Sequence, residues 1–94
     1  MARNSKHIAG DCAEAIAVLH YLKNGYSVFT TTQGNSPCDL VVLDPNGNVE
    51  LIDVKTLSRR TDNSKIYRVL SKIQKAANIK FAYVDLKTNK IHFD

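Results

Sequence analysis

The chain has 94 residues, enough for one domain with a single modest core and no second lobe. At 44% hydrophobic and 23% charged residues it has the composition of an ordinary globular protein, and no apolar run is long enough for a signal peptide or a transmembrane helix. The net charge of +4 attracts polyanions such as nucleic acid, and the spacing of Cys12 and Cys38 indicates neither a zinc site nor a disulfide framework. We expect a cytoplasmic protein that binds no membrane.

The first half of the chain predicts one helix followed by three strands. Apolar residues recur at helical spacing over residues 7–24, and Gly25 follows as a stop signal. The predicted apolar stripe of this helix comprises Ile8, Cys12, Ile16, Leu19 and Leu22. Segments rich in β-branched and aromatic residues predict strands over residues 26–32, 38–43 and 49–56.

The second half predicts a helix and two further strands. Potential capping residues cluster over residues 61–64, which predicts a helix from there through about Ala77, and strands are predicted over 79–86 and 90–93. The basic residues on the polar face of this helix are either merely solvated or track phosphates; they are Lys65, Arg68, Lys72 and Lys75. The order of elements predicts an α/β fold with a mixed central sheet flanked by helices.

A predicted tight turn places two acidic residues opposite each other on neighbouring strands. Pro45, Asn46 and Gly47 suit a type I turn followed by a left-handed glycine, which makes a three-residue hairpin loop. Counting back along both strands places Asp39 opposite Asp53, with Cβ atoms about 5 Å apart. Like charges at that distance repel, and a bound cation is the simplest remedy.

These acids and a nearby lysine meet the needs of metal-dependent phosphodiester cleavage. The period of two along a strand puts Lys55 on the same face as Asp53. Carboxylates hold Mg²⁺, which polarises a phosphate and lowers the pKa of a water, while the ammonium of Lys55 orients that water or offsets developing charge. The alternative is a solvated hairpin whose acids are neutralised by Lys55 alone.

The element order and three motifs together resemble the PD-(D/E)XK nuclease superfamily over about residues 5–86. The matching positions are Glu14 in GDCAE on the first helix, Asp39 in SPCDLVV, and Asp53 with Lys55 in LIDVKT. Pro37 stands one residue further from Asp39 than in the family pattern, and Asp53 replaces the commoner Glu. The resemblance implies a restriction-endonuclease-like core in a single domain over residues 1–94, with residues 1–6 as a flexible basic arm.

The resemblance also implies roles for these residues. Asp39 and Asp53 are the central ligands of Mg²⁺, which Mn²⁺ can replace, and the backbone carbonyl of Val54 is a further ligand. Glu14 completes the acidic cluster, either directly or through a water. Lys55 is the catalytic lysine.

Polar and basic residues around these positions are candidates for contacts with DNA. Arginines that follow the catalytic strand suit backbone phosphates, and polar residues before Asp39 suit a phosphate or a base. Plain solubility is the alternative for the basic residues. Thr56 either assists the water or fills a strand position, and by the resemblance Gln74 lies where some relatives place a polar residue near the metal. The candidates are Arg3, Lys6, His7, Gln33, Ser36, Thr56, Arg59, Arg60, Lys72 and Gln74.

These observations favour a Mg²⁺-dependent DNA endonuclease that cuts branched or distorted DNA, similar to the small Holliday junction resolvases. The alternative is a sequence-specific cutter of duplex DNA, of the homing or restriction type, because the chain equally resembles the PD-(D/E)XK endonucleases encoded within group I introns. A DNA-binding module without turnover is a third hypothesis. Because so small a domain offers little surface for reading bases, we expect a homodimer or a higher homo-oligomer.

Overall fold

The structure is a computed structural model and describes residues 4–59, 65–66 and 70–93. Two helices and seven strands lie within these ranges. In chain order they are α1 (Ser5–Lys23), β1 (Ser27–Thr30), β2 (Leu40–Leu43), β3 (Val49–Thr56), β4 (Ser58–Arg59), β5 (Lys65–Ile66), α2 (Lys72–Ala76), β6 (Lys80–Asp85) and β7 (Lys90–Phe93).

Five of the strands form one mixed sheet in the order β1-β2-β3-β6-β7. The first three run antiparallel as a meander, β3 pairs with β6 in parallel, and β6 pairs with β7 antiparallel. Parallel strands cannot be joined by a tight turn, so the chain crosses from β3 to β6 through β4, β5 and α2. The predicted α/β class with a mixed central sheet is confirmed.

Local capping explains where α1 begins and ends. The side chain of Asn4 accepts a hydrogen bond from the backbone N–H of His7 at 2.9 Å, and Gly25, with φ of 83°, follows the last turn as predicted. The helix therefore starts at Ser5, so Ser5 and Lys6, which we expected in a flexible arm, lie in its first turn. No helix in the described part of the chain is long and apolar enough to cross a membrane.

The buried face of α1 differs from the predicted stripe. Ala13, Ala17 and Tyr21 are buried, and they pack with Leu40, Val42, Ile52, Ala82 and Val84 of the sheet. Of the predicted stripe, Ile16 does pack against this core, but the other four positions were wrong: Cys12 is exposed, and the exposed fractions of Ile8, Leu19 and Leu22 are 47%, 52% and 54%. Small side chains on the inner face let a helix lie close to a sheet, which the hydrophobicity of single residues does not reveal.

The predicted second helix is much shorter than expected. Lys65–Ile66 is a strand that pairs antiparallel with Ser58–Arg59, and α2 begins only after Ser71. Ser71 and Gln74 form a reciprocal capping box, which fixes the start of α2. The basic stripe that the longer helix would have carried therefore does not form along one helical face. Residues 60–64 and 67–69, including Arg68, lie outside the described residues.

The β2–β3 hairpin has the predicted turn, and its register is as predicted as far as the pair Leu40 and Ile52. Gly47 has φ of 91°, and its N–H donates to the carbonyl of Asp44 at 3.0 Å. The N–H of Asp44 donates to the carbonyl of Asn48 at 2.9 Å, and the ladder runs from there to the pair Leu40 and Ile52. The left-handed glycine thus fixes how the two acid-bearing strands are aligned.

Replacing Gly47 with alanine tests this dependence. A Cβ at φ of 91° is strained, so Gly47→Ala should lower the free energy of unfolding by about 1 kcal/mol in urea denaturation. Gly34→Ala is the matched control, because no atom lies within 4 Å of the added Cβ and φ is not in the left-handed region. Equal effects of the two substitutions would contradict the role given to the turn.

Candidate active site

The candidate site lies where β2 and β3 separate. The ladder between them ends at Leu40 and Ile52, whereas β3 continues to Thr56. One residue before β2, the N–H of Asp39 donates to the carbonyl of Ile52 at 2.9 Å. Asp39 is therefore displaced by one residue from the strict opposition to Asp53 that the sequence predicted, in the manner of a β-bulge.

Both the backbone and the carboxylate of Asp39 are held in place. The N–H of Thr31 donates to the carbonyl of Asp39 at 3.2 Å. The Oδ2 atom of Asp39 accepts a hydrogen bond of 2.7 Å from the N–H of Val54, which no longer has a strand partner on that side. Because the N–H and C=O of one strand residue point the same way, the Val54 carbonyl also faces this gap.

Asp53 is the buried charged residue of the described core, with 6% of its surface exposed. Its Oδ2 atom lies 3.2 Å from Nζ of Lys55 and accepts a hydrogen bond of 2.8 Å from Nε2 of Gln74. Lys55 lies on the same face of β3, as strand alternation predicts, and its Nζ is 5.8 Å from the centre of the Phe81 ring. The ammonium is therefore held between a carboxylate and an aromatic face.

Asp39 and Asp53, called here the acidic pair, lie close enough for Asp53 to disfavour the charged form of Asp39. Burial and a hydrogen bond with Asp53 raise the pKa of Asp39 to about 6, and the charges of Asp53 and Glu14 act in the same direction. The hydrogen bond from the Val54 N–H opposes them. The pKa of the adjacent Cys38 thiol is also raised, first by its burial and then by the acidic pair. A negative field therefore fills this end of the sheet.

A cavity of about 460 Å³ opens beside Asp39. Its lining residues are His7, Gly10, Asp11, Glu14, Asp39 and Val54. Glu14 is half-buried on α1, close enough for its charge to raise the pKa of Asp39. Within residues 4–59, 65–66 and 70–93, however, no three His, Cys, Asp or Glu side chains are grouped closely enough to ligate one metal ion.

The oxygen donors at this position fit a hard divalent cation. Mg²⁺ is usually bound by one or two protein carboxylates and keeps several waters, so it does not need a complete protein cage. The acidic pair provides two carboxylates whose repulsion a cation would relieve, and the Val54 carbonyl faces the same gap. Glu14 lines the cavity together with Asp39 and Val54.

The predicted DNA-contact residues are spread around this site. Lys6 and His7 are exposed in the first turn of α1, and His7 also lines the cavity. The other described candidates are Gln33 (exposed) and Ser36 (half-buried) in the loop before Asp39, Thr56 at the end of β3, Arg59 in β4, Lys72 (exposed) at the start of α2, and Gln74 against Asp53. Arg3 and Arg60 lie outside the described residues.

Two backbone groups that hold the Gln74 side chain were not recognised in the sequence. The carbonyl of Pro37 accepts a hydrogen bond of 2.9 Å from Nε2 of Gln74, which ties the loop before β2 to α2. The backbone N–H of Ser71 holds the other end of the Gln74 side chain by donating to its Oε1 atom. The Ser-x-x-Gln pattern at residues 71–74 was the available signal, and it marks the true start of α2.

The fold is similar to that of a solved endonuclease. The bacterial homing endonuclease I-Ssp6803I matches with a TM-score of 0.73 at 20% sequence identity, over 97% of this chain and 69% of that chain. At this identity the likeness shows a shared fold, and it confirms the predicted restriction-endonuclease-like core. No curated protein matches the chain. The family model for PD-(D/E)XK endonucleases matches residues 4–93, and the chain therefore belongs to the PD-(D/E)XK endonuclease family.

Proposed function

We propose that the protein is a DNA endonuclease that hydrolyses phosphodiester bonds with the help of Mg²⁺, for which Mn²⁺ can substitute. The observation that carries this proposal is the acidic pair beside Lys55, with the pKa of Asp39 raised to about 6. A solvated hairpin would leave such acids apart and fully hydrated. Their convergence also argues against a DNA-binding module without turnover.

In this proposal the acidic pair and the Val54 carbonyl hold the cation. Asp39 is already oriented by the Val54 N–H, and Asp53 by Lys55 and Gln74, so neither carboxylate has to be ordered when a metal binds. Glu14 acts from the other side of the cavity, through a water. When bound, the divalent ion supplies Lewis-acid polarisation of the phosphate and lowers the pKa of the attacking water.

Lys55 supplies the positive charge of the site. Its ammonium lies 3.2 Å from Asp53 and over the ring of Phe81, and its side chain is 32% exposed. From this position it can orient the attacking water or balance the negative charge that grows on the phosphate in the transition state. A neutral side chain of the same length would keep the packing on Phe81 and lose this function.

Two DNA substrates are open to an enzyme of this kind. Branched or distorted DNA suits a small domain that reads shape more than bases, and a homodimer would bring two active sites to the two strands of a junction. A defined site in duplex DNA is the second candidate, and the similarity of the fold to that of a homing endonuclease favours it. We infer that duplex cleavage at a preferred site is the first activity to test.

Neutralising one member of the acidic pair tests the metal role. Asp53→Asn keeps the shape of the side chain but removes a charged ligand, so cleavage should fall roughly 10²–10³-fold or more. DNA binding without divalent metal should persist. The measurement is Mg²⁺-dependent nicking of plasmid DNA, together with fluorescence anisotropy on labelled DNA.

The matched control is Asp44→Asn, the same chemical change at the far end of the β2–β3 hairpin. Asp44 accepts backbone hydrogen bonds from Asn46 and Asn48, which an asparagine oxygen can also accept. Its cleavage rate should stay close to that of the unmodified protein. Nicking by Asp53→Asn at the unmodified rate would reject the proposed site.

Asp39→Asn separates stability from activity. Because the pKa of Asp39 in the fold, about 6, lies above its ordinary value of 3.8, the folded chain holds this proton more tightly than the unfolded chain. This contribution to stability is complete below about pH 4 and is lost as the pH rises to about 6. At pH 7.5 without metal, Asp39→Asn should therefore be more stable by about 1 kcal/mol after solvent screening, yet inactive.

Urea denaturation at pH 5 and pH 7.5 in the presence of a chelator measures this effect. The gain in stability from Asp39→Asn should be larger at pH 7.5 than at pH 5. A variant that loses stability equally at both pH values would show that the Asp39 charge is not under strain.

Cleavage of a pool of random-sequence duplexes and of an immobile four-way junction distinguishes between the two candidate substrates. With a preferred duplex site, sequencing of the ends produced in Mg²⁺ should recover one recurrent motif. Faster cleavage of the junction than of linear duplexes made from the same strands, with no motif among the ends, would instead establish the branched substrate.

A further inference from the structure

The side-chain amide of Gln74 joins three separate segments of the chain. Its Oε1 atom accepts a hydrogen bond of 3.0 Å from the N–H of Ser71, at the start of α2. Its Nε2 atom donates to the carbonyl of Pro37 at 2.9 Å and to Oδ2 of Asp53 at 2.8 Å. One amide thus connects α2, the loop before β2 and the acid-bearing strand β3.

The chemistry of the partners fixes which end of the amide faces Asp53. A backbone N–H can only donate and a proline carbonyl can only accept, so Oε1 must face Ser71 and Nε2 must face Pro37. Both hydrogens of the NH₂ group are then used, one by Pro37 and one by Asp53. The donors with which Gln74 would contact DNA are already engaged inside the protein.

The contact bears on how Asp53 presents its oxygens. Asp53 is almost fully buried, and both Gln74 and Lys55 act on the same atom, Oδ2. A carboxylate held at one oxygen by two donors has a fixed rotation about its Cβ–Cγ bond. Its other oxygen, Oδ1, lies outside both contacts and keeps a fixed direction.

We propose that Gln74 is a positioning residue for the cleavage reaction, which holds the Asp53 carboxylate so that Oδ1 meets the cation without reorganisation. The inference rests on the proposed function, since it gives Asp53 the role of a metal ligand. It replaces the expectation that Gln74 contacts DNA. Partners of this kind, which orient a ligand without touching the metal, typically change metal affinity or activity by about 10–100-fold when altered.

The capping box allows the two roles of Gln74 to be separated. Gln74→Glu keeps an oxygen that accepts from the Ser71 N–H, and Ser-x-x-Glu is itself a good capping box. The variant loses both donors and sets a carboxylate against Asp53. Ser71→Ala does the opposite: it removes the hydroxyl that accepts from the Gln74 N–H at 3.3 Å but leaves the backbone N–H that orients the amide.

Three readouts are compared for the unmodified chain and the two variants: kcat and KM for DNA cleavage, and the rise in Tm caused by Mn²⁺ without DNA. A ligand that binds only the folded state raises Tm according to its affinity, so the third readout needs no turnover. Gln74→Glu should lower kcat by about 10–100-fold with KM nearly unchanged, and should alter the Mn²⁺ concentration at which Tm rises. Ser71→Ala should lower Tm but leave kcat within about twofold.

Other outcomes overturn the proposal in recognisable ways. If kcat falls in proportion to Tm in both variants, Gln74 acts only as a structural cap of α2. If KM rises while kcat is unchanged, Gln74 contacts DNA instead. If the unmodified protein binds Mn²⁺ but does not cut DNA, the proposed function fails, and Gln74 is judged by the Mn²⁺ shift alone. If Mn²⁺ does not change Tm in the unmodified protein, the role given to Gln74 is rejected as well.

Discussion

Asp39 and Asp53 place two like charges close together at a partly dehydrated end of the sheet, and the rest of the site is organised around that repulsion. Burial raises the pKa of Asp39 to about 6, and the hydrogen bond and the charge of Asp53 act in the same direction. The Val54 N–H, the Lys55 ammonium and the Gln74 amide each offset part of the negative charge. None of them removes it, so the metal-free protein retains an electrostatic preference for a cation at this position.

The scaffold imposes this arrangement through a few backbone constraints. The glycine turn at Gly47 aligns β2 with β3, and the early end of the β2–β3 ladder frees the Val54 N–H for the Asp39 carboxylate. On the other side of β3, parallel pairing brings Phe81 level with Asp53 and under Lys55. The acids are therefore fixed by main-chain geometry, and the side chains around them adjust the charge.

Much of this could be predicted from the sequence, because it depends on local signals. Neighbouring residues determine the turn at residues 45–47, the alternation of side chains through Asp53 and Lys55, and the end of α1 before Gly25. The buried face of α1 depends instead on how closely the helix packs on the sheet, and the start of α2 depends on the capping box of Ser71 and Gln74. The contact between Gln74 and Asp53 spans 21 residues and is set by the crossover, so no local pattern contains it.

The parallel pairing of β3 with β6 has a consequence for how the site comes into being. The β1–β2–β3 meander contains Asp39, Asp53 and Lys55, but the groups that immobilise Asp53 and Lys55 come from α2 and β6, after the crossover. During folding, the meander can bring the acids together through contacts close in sequence, whereas their final geometry must wait for the slower closure of a long loop. Assembly of the catalytic geometry is thus a late event, coupled to completion of the whole domain.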